Sequence, residues 1–443
     1  MFPPSAAQPY RTRSGPVARR DLVRMIAGTA LLATGLTGCT QARPAEADGP
    51  VQLSVFWWGS QRRAELTEQA LRLYSELHPR VSFRVTWQGS AGYYQRLSTQ
   101  AAAGNAPDLF QIDDSFLAEY AQRDILLDLS EHVEHGRLDL RELPASLAQY
   151  GQVNGRTVAV AAAENTAALA VNRSLLRRIG MPAPRLGMTY DEFVDWAVQV
   201  TRRSSGRVAG TMDLSADHRA LWLWLRAQGI EFYRGQQLGF DVADLTDWFE
   251  FWRAARSRRA TPSVPLIKSA NGGEVNRQLI ATGRTAASLI WSSQLPELQR
   301  LTRDELGIVC VPGAEQVAWA RAAMYWTAFR GTRSPDTVVN VINFLTNNPA
   351  AGRVLGAERG VSANVSVRRV VQGSLVDESM RRAAAFETEM THRFGPAPAP
   401  PPKGHAEVRA LLVAAAESAQ SGRSSSREAA VAFVSQANTT LTS

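Results

Sequence analysis

Residues 51–60 read VQLSVFWWGS, residues 81–88 VSFRVTWQ and residues 106–114 APDLFQIDD. In the first stretch Val51, Leu53, Val55 and Trp57 alternate with Gln52, Ser54 and Phe56, the period of a strand, which ends at Trp57-Trp58-Gly59. Over Gln61–His78, Leu66, Ala70, Leu73, Tyr74 and Leu77 recur at helical spacing until Pro79 stops the helix. Val81, Phe83, Val85 and Trp87 then alternate with polar residues in a second strand. A helix is predicted over Gly92–Ala103, closed by Gly104-Asn105. Pro107–Ile112 forms a third strand that runs into Asp113-Asp114. This order predicts an α/β layer with a largely parallel sheet, in which ligands bind at the carboxyl ends of the strands. Trp57-Trp58 and Asp113-Asp114 both stand at such ends.

The 443 residues are 45% apolar and 20% charged, a globular composition that excludes a disordered or collagen-like chain and predicts two or three domains. The formal charge is +8, and only Lys268 and Lys403 are lysines. The arginines scatter along the chain, so nothing marks a nucleic-acid stripe, and no nucleic-acid partner is expected. Residues 1–38 hold five arginines and one aspartate, so half of the net charge belongs to that segment. Within it, Arg19-Arg20 precede the apolar stretch Met25–Leu36, too short to cross a bilayer and suited to a signal peptide, and Arg19-Arg20-Asp21-Leu22-Val23-Arg24 resembles a twin-arginine signal. Leu36-Thr37-Gly38-Cys39 resembles a bacterial lipobox. Acyl chains on Cys39 would anchor the protein to the outer face of the cell membrane, with 39–50 as a polar tether. Cys310 is then single, and no disulfide framework is possible.

Further along, short strands are predicted at Val158–Ala163, Leu169–Val171 and Arg284–Trp291. Helices are predicted at Tyr190–Arg202, Leu221–Gln228, Leu245–Ser257, Thr337–Thr346, Ala406–Gln420 and Ser426–Leu441. Gly395–Pro402 carries five prolines and reads as a polyproline-like spacer.

Several stretches, in order, resemble the extracellular solute-binding proteins of carbohydrate ABC importers, the maltose-binding type (family 1). They are Phe56–Gly59, Ala101–Phe110, Ala170–Leu176, Thr282–Ala287, Phe344–Pro349 and Arg359–Asn364. Val171 stands where the family usually has tyrosine, and Ser362 where it has proline. The resemblance implies a two-lobed periplasmic-binding-protein-like α/β fold (type II), with hinged lobes and a ligand cleft between them. One lobe would span 51–161 completed by 327–368, the other 162–326 completed by 369–443. The chain would cross between lobes near Ala161–Ala163, Tyr325–Trp326 and Arg368–Val370. The implied partners are a sugar or oligosaccharide and ABC permease subunits, with the protein itself a monomer.

A sugar is held by aromatics stacked on its C–H faces and by carboxylates or amides at its hydroxyl rim. By alternation, Trp57 continues the core face and Trp58 points to ligand. Asp113 and Asp114 follow a strand; one suffices to cap the next helix, and Asp114 matches the family's sugar-binding aspartate. By the same resemblance, Glu164 or Asn165 takes the place of a sugar-binding carboxylate, Trp291 that of a stacking tryptophan, and His405 lies near an aromatic position. Tyr93 and Trp326 are further candidates against simple packing, as are Trp222 and Trp224, while Trp248 and Trp252 share a core face. No nucleotide, redox or zinc motif occurs, so no cofactor or metal is expected. Glu131–His135 reads as a solvated loop. Adjacent acids on an extended chain diverge, which argues for binding and against glycoside hydrolysis. The alternatives are a polyol phosphate or other small polar solute in the same fold, which would want an arginine in the cleft, a secreted polysaccharide-degrading enzyme, and a sensory lipoprotein.

Overall fold

The computed structural model describes residues 49–270, 275–314 and 316–442. The segment expected to be a signal peptide, Cys39 and all but the last two residues of the expected tether lie outside the described residues. Two sheets organise the rest. The larger has six strands: β1 (Val51–Trp58), β2 (Val81–Gln88), β3 (Leu109–Ile112), β4 (Val160–Asn165), β8 (Arg321–Ala328) and β9 (Val361–Ser362). The smaller has three: β5 (Ala167–Asn172), β6 (Ala287–Trp291) and β7 (Leu306–Cys310). The orders are β9-β4-β8-β3-β1-β2 and β6-β5-β7.

The alternating stretches pair as parallel strands: β1 runs beside β2 from Val51 against Val81 to Trp58 against Gln88, and beside β3 at Val55 and Phe56. Phe56, on the supposedly outer face of β1, is also buried, because helix Tyr93–Ala102 covers that face and sets the Tyr93 ring 4.4 Å from Phe56. Edge strand β2 is covered less, and Trp87 is exposed. The rest of the large sheet is antiparallel: β8 lies between β3 and β4, and β9 pairs with β4. The parallel expectation therefore holds for β2-β1-β3 only. The strands that complete the sheet return from distant parts of the chain without a crossover helix between neighbours.

One hydrophobic core lies against β1 and β3, including Ala70 and Tyr74 of helix Gln61–Leu77 and Val341 and Ile342 of helix Pro335–Asn347. A second large one gathers Leu245, Trp248, Phe249 and Trp252 of helix Val242–Ser257 with Leu412 and Phe433 of the two terminal helices. Helix Val242–Ser257 starts where the Asp241 carboxylate accepts the Ala243 and Asp244 N–H groups. Thr166 alone separates β4 in the large sheet from β5 in the small one. The segments Ala161–Ala163 and Tyr325–Trp326 lie inside β4 and β8, and Arg368–Val370 inside helix Val365–Gln372.

The proline run is packed against the body. Gly395 N–H donates to Ala318 O at 2.9 Å, and a Cβ there would come within 1.9 Å of Gln316 O, so only glycine fits. Arg226 Nη2 donates to Pro396 O at 2.6 Å, and Pro401 and Pro402 are buried. Among the described residues no helix is long and apolar enough to cross a membrane.

Candidate functional site

A cleft is lined by Asp114, Tyr150 and Arg321 on one side, and by His218, Trp222, Trp291 and His405 on the other, with Thr166 between the sheets at its base. Each side chain arrives from an element end. β3 stops at Ile112, Asp113 caps helix Asp114–Gln122 by accepting the Ser115 N–H at 3.0 Å, and Asp114 opens that helix. Arg321 is the first residue of β8, the strand beside β3. Its guanidinium grips both oxygens of Asp114 and reaches Asp113 Oδ2 at 3.0 Å. Trp291 closes β6, and the Arg321 and Arg219 guanidinium carbons lie 4.5 and 5.0 Å from its ring centroid, within cation–π range. Arg219, in the first turn of helix His218–Ala227, is itself fixed on the capping carboxylate of Asp217, at 3.0 and 2.6 Å. His405 begins helix His405–Gln420, with Nδ1 2.6 Å from the Tyr233 hydroxyl. One turn later Arg409 donates to Ser115 Oγ at 3.0 Å.

Burial governs the electrostatics. It raises the Asp114 carboxyl to about 6, with a further push from Asp113, against the pull of Arg321. Burial acts on Asp113 in the same sense, but Arg321 and then Arg409 outweigh it and hold that carboxyl below the ordinary range. Burial, followed by Arg409, drives the pKa of both His218 and His405 well down, so both rings are neutral at physiological pH. The open space at the centre is about 20 Å³, room for a single water. In this conformation Arg321 and Trp291 fill the cleft, so a guest of sugar size requires them, or the two sides, to move apart.

The profile of the bacterial extracellular solute-binding proteins matches residues 69–369. The chain belongs to that family. A periplasmic oligogalacturonide-binding protein from Yersinia enterocolitica, solved with saturated digalacturonic acid, is 19% identical. That match covers 88% of this chain and 98% of the other at a TM-score of 0.75. An ABC substrate-binding protein from Listeria monocytogenes in complex with cycloalternan is 14% identical, covering 88% and 99%, with a TM-score of 0.76. An ABC transporter solute-binding protein from Thermotoga lettingae bound with α-D-tagatose is 16% identical, covering 88% and 99%, with a TM-score of 0.72. The two sheets and two cores of this solute-binding protein are thus the two-lobed α/β fold expected from its sequence.

Of the residues singled out in the sequence of this solute-binding protein, Asp114, Trp291 and His405 line the cleft together, and Asp113 joins them through Arg321. Trp222, weighed as core or ligand, also lines it. Trp57 is fully buried in the large-sheet core, whereas half-buried Trp58 packs its ring 5.0 Å from Tyr93 and 5.8 Å from Tyr94 and is not among the lining residues. Tyr93 is withheld from the cleft: it is wholly buried, and its hydroxyl donates to Gln111 O at 2.7 Å, tying the helix to β3. Trp326 is likewise core, with Arg359 5.2 Å from its ring. Glu164 and Asn165 are buried at the end of β4. Glu164 Oε2 accepts from Arg368, and Asn165 Oδ1 accepts from Ser292 Oγ at 2.7 Å. Their carboxylate and amide serve the junction between the sheets.

Sequence reasoning did not find Arg219, Arg321, Arg409, Tyr150, Trp319 or Pro401. For Arg321 a signal existed: it opens the wholly buried strand β8, and a buried guanidinium needs a buried acid, which Asp113-Asp114 offered unpaired.

Proposed function

We propose that this protein is the extracytoplasmic, lipid-anchored substrate-binding component of an ABC importer. It captures a sugar or oligosaccharide between its lobes and delivers it, unchanged, to permease subunits. The lobes are proposed as one built on the large sheet and one built on the small sheet, with Thr166 in one of the connections between them, in place of boundaries at 161/162 and 326/327, which fall inside β4 and β8. Cys39 is the proposed acylation site. The observation that carries this reading is the cleft itself, in which the indoles of Trp222, Trp291 and Trp319 meet Asp114, Arg321 and His405. Aromatic faces with charged, planar hydrogen-bonding groups are the complement of a ring with apolar faces and a polar rim. The carbohydrates seen in three relatives of the same fold support it. Closure by hinge motion would present the loaded form to the transporter.

The test is a carbohydrate screen by thermal shift and tryptophan fluorescence. A cognate sugar raises the melting temperature and changes the emission of Trp291 and its neighbours. A broad neutral and acidic panel that moves neither signal refutes the carbohydrate assignment. New reducing ends released from a polysaccharide would instead establish hydrolysis.

A further inference from the structure

The acids around the cleft are already engaged. Asp114 gives both oxygens to Arg321, Asp113 gives one to Arg321 and one to the Ser115 N–H, and Asp217 gives both to Arg219. What remains is mostly donor in character. The Trp222 indole N–H lines the cleft without a partner, and an indole N–H can only donate. The Tyr150 hydroxyl and the Trp319 indole N–H approach one another but make no hydrogen bond of normal geometry. Arg409 is not itself a lining residue: it stands half-buried one turn along the helix from His405, with a hydrogen bond on Ser115 Oγ beside Asp114, and among the described residues no carboxylate pairs with it. Asp113 and Asp217 feel its charge, but other arginines already hold both. His218 registers the resulting field. Beyond burial, the guanidinium charges of Arg409, Arg219 and Arg321 all act on it in the direction that disfavours a further positive charge.

A sugar hydroxyl brings a donor along with its acceptor and would have to compete with arginines for these carboxylates. An oxyanion brings acceptors only, about four lone-pair sites on a carboxylate, and it matches a guanidinium fork. We propose that the cleft selects a sugar bearing an oxyanion, a carboxylate or a phosphate, received by Arg409 together with the indole N–H groups of Trp222 and Trp319. This rests on the carbohydrate reading above and narrows it to acidic sugars. The arginine that the polar-solute alternative called for is thereby present, with the aromatic walls a sugar needs.

Calorimetric titration with digalacturonic acid, the neutral digalactose of the same linkage and galactose 1-phosphate tests it. At least one acidic probe should bind about tenfold or more tighter than the neutral one, and its affinity should fall as salt rises. Arg409→Gln should lower that affinity about tenfold and so reduce the preference for the acidic over the neutral sugar, and Arg409→Lys should restore part of it. Urea unfolding of each variant confirms that it is folded. Preference for the uronate or for the phosphate identifies the source of the oxyanion. Tighter binding of the neutral sugar overturns this proposal and leaves the carbohydrate reading standing. Acidic binding that Arg409→Gln does not weaken also overturns it. If neither these probes nor the broad panel binds, both readings fall together.

Discussion

Glu387 offers a sharp test of how the two sheets are joined. It sits on helix Glu378–Thr391, is 1% exposed, and is hydrogen-bonded to Ser292 Oγ through one oxygen and accepts from Thr166 Oγ1, at 2.6 Å, on the other. Thr166 is the single residue between β4 and β5, and Ser292 directly follows β6. Burial first, and then the nearby Glu164 carboxylate, raise its pKa from 4.5 to about 7. Arg368 acts in the opposite sense, but its guanidinium is bonded to Glu164. A shift of that size is worth about 3 kcal/mol. Because the folded pKa is raised, the associated stability is fully present below the unfolded value of 4.5 and is lost as pH rises through about 7. Glu387→Gln replaces the acid with a neutral group of the same shape that still offers one acceptor and one donor arm. The two proteins should therefore unfold at similar urea concentrations near pH 4. Near pH 9 the Gln variant should be the more stable by up to about 3 kcal/mol. Urea unfolding followed by tryptophan emission at several pH values gives the difference curve, in which groups common to both proteins cancel. A flat curve, or a Gln variant that is less stable at high pH, would refute the reasoning.

Three other outcomes are expected. Trp291→Ala should weaken carbohydrate binding by about thirtyfold, equivalent to about 2 kcal/mol, as measured by calorimetry, with little loss of stability because the ring is half-buried. Tyr93→Phe should lower unfolding stability by about 1 kcal/mol through loss of the bond to Gln111 O, while ligand affinity stays unchanged; a large affinity loss would return Tyr93 to the site. Gly395→Ala should lower stability by about 2 kcal/mol, since its Cβ meets the Gln316 carbonyl, and should also weaken ligand binding by loosening Pro401; a melting curve and a titration check both.

Much of the architecture was legible because local rules wrote it. Helix Tyr190–Arg203 begins at Thr189, where a capping box with Glu192 forms, as the start of that segment suggested. Helix Val242–Ser257 buries the face of Leu245, Trp248, Phe249 and Trp252 that its spacing marked. The antiparallel half of the large sheet was not legible, because β8 and β9 reach it from more than 200 residues beyond β3, and a strand's own pattern does not name its neighbour. Proline content alone suggested a polyproline-like spacer, whereas a backbone bond to Ala318 and a bond from the Arg226 side chain fasten that segment to the body.

By itself the sequence determined the strands and helices with a clear period, β1 to β3 and helices such as Tyr190–Arg203 among them, and that aromatic and acidic residues stand at strand ends, since periodicity and capping act within a few residues; β7, β8 and helix Glu378–Thr391 carried no such mark. Tertiary structure alone decided which of those groups meet. It set Arg321 on Asp114 across some 200 residues of chain, turned Tyr93 inward, and left Arg409 without an acid of its own among the described residues. The physical reason is that a charge has no preferred partner along a chain. Its partner is chosen by burial, where an uncompensated charge is costly, and only the folded packing says which side chains are buried together.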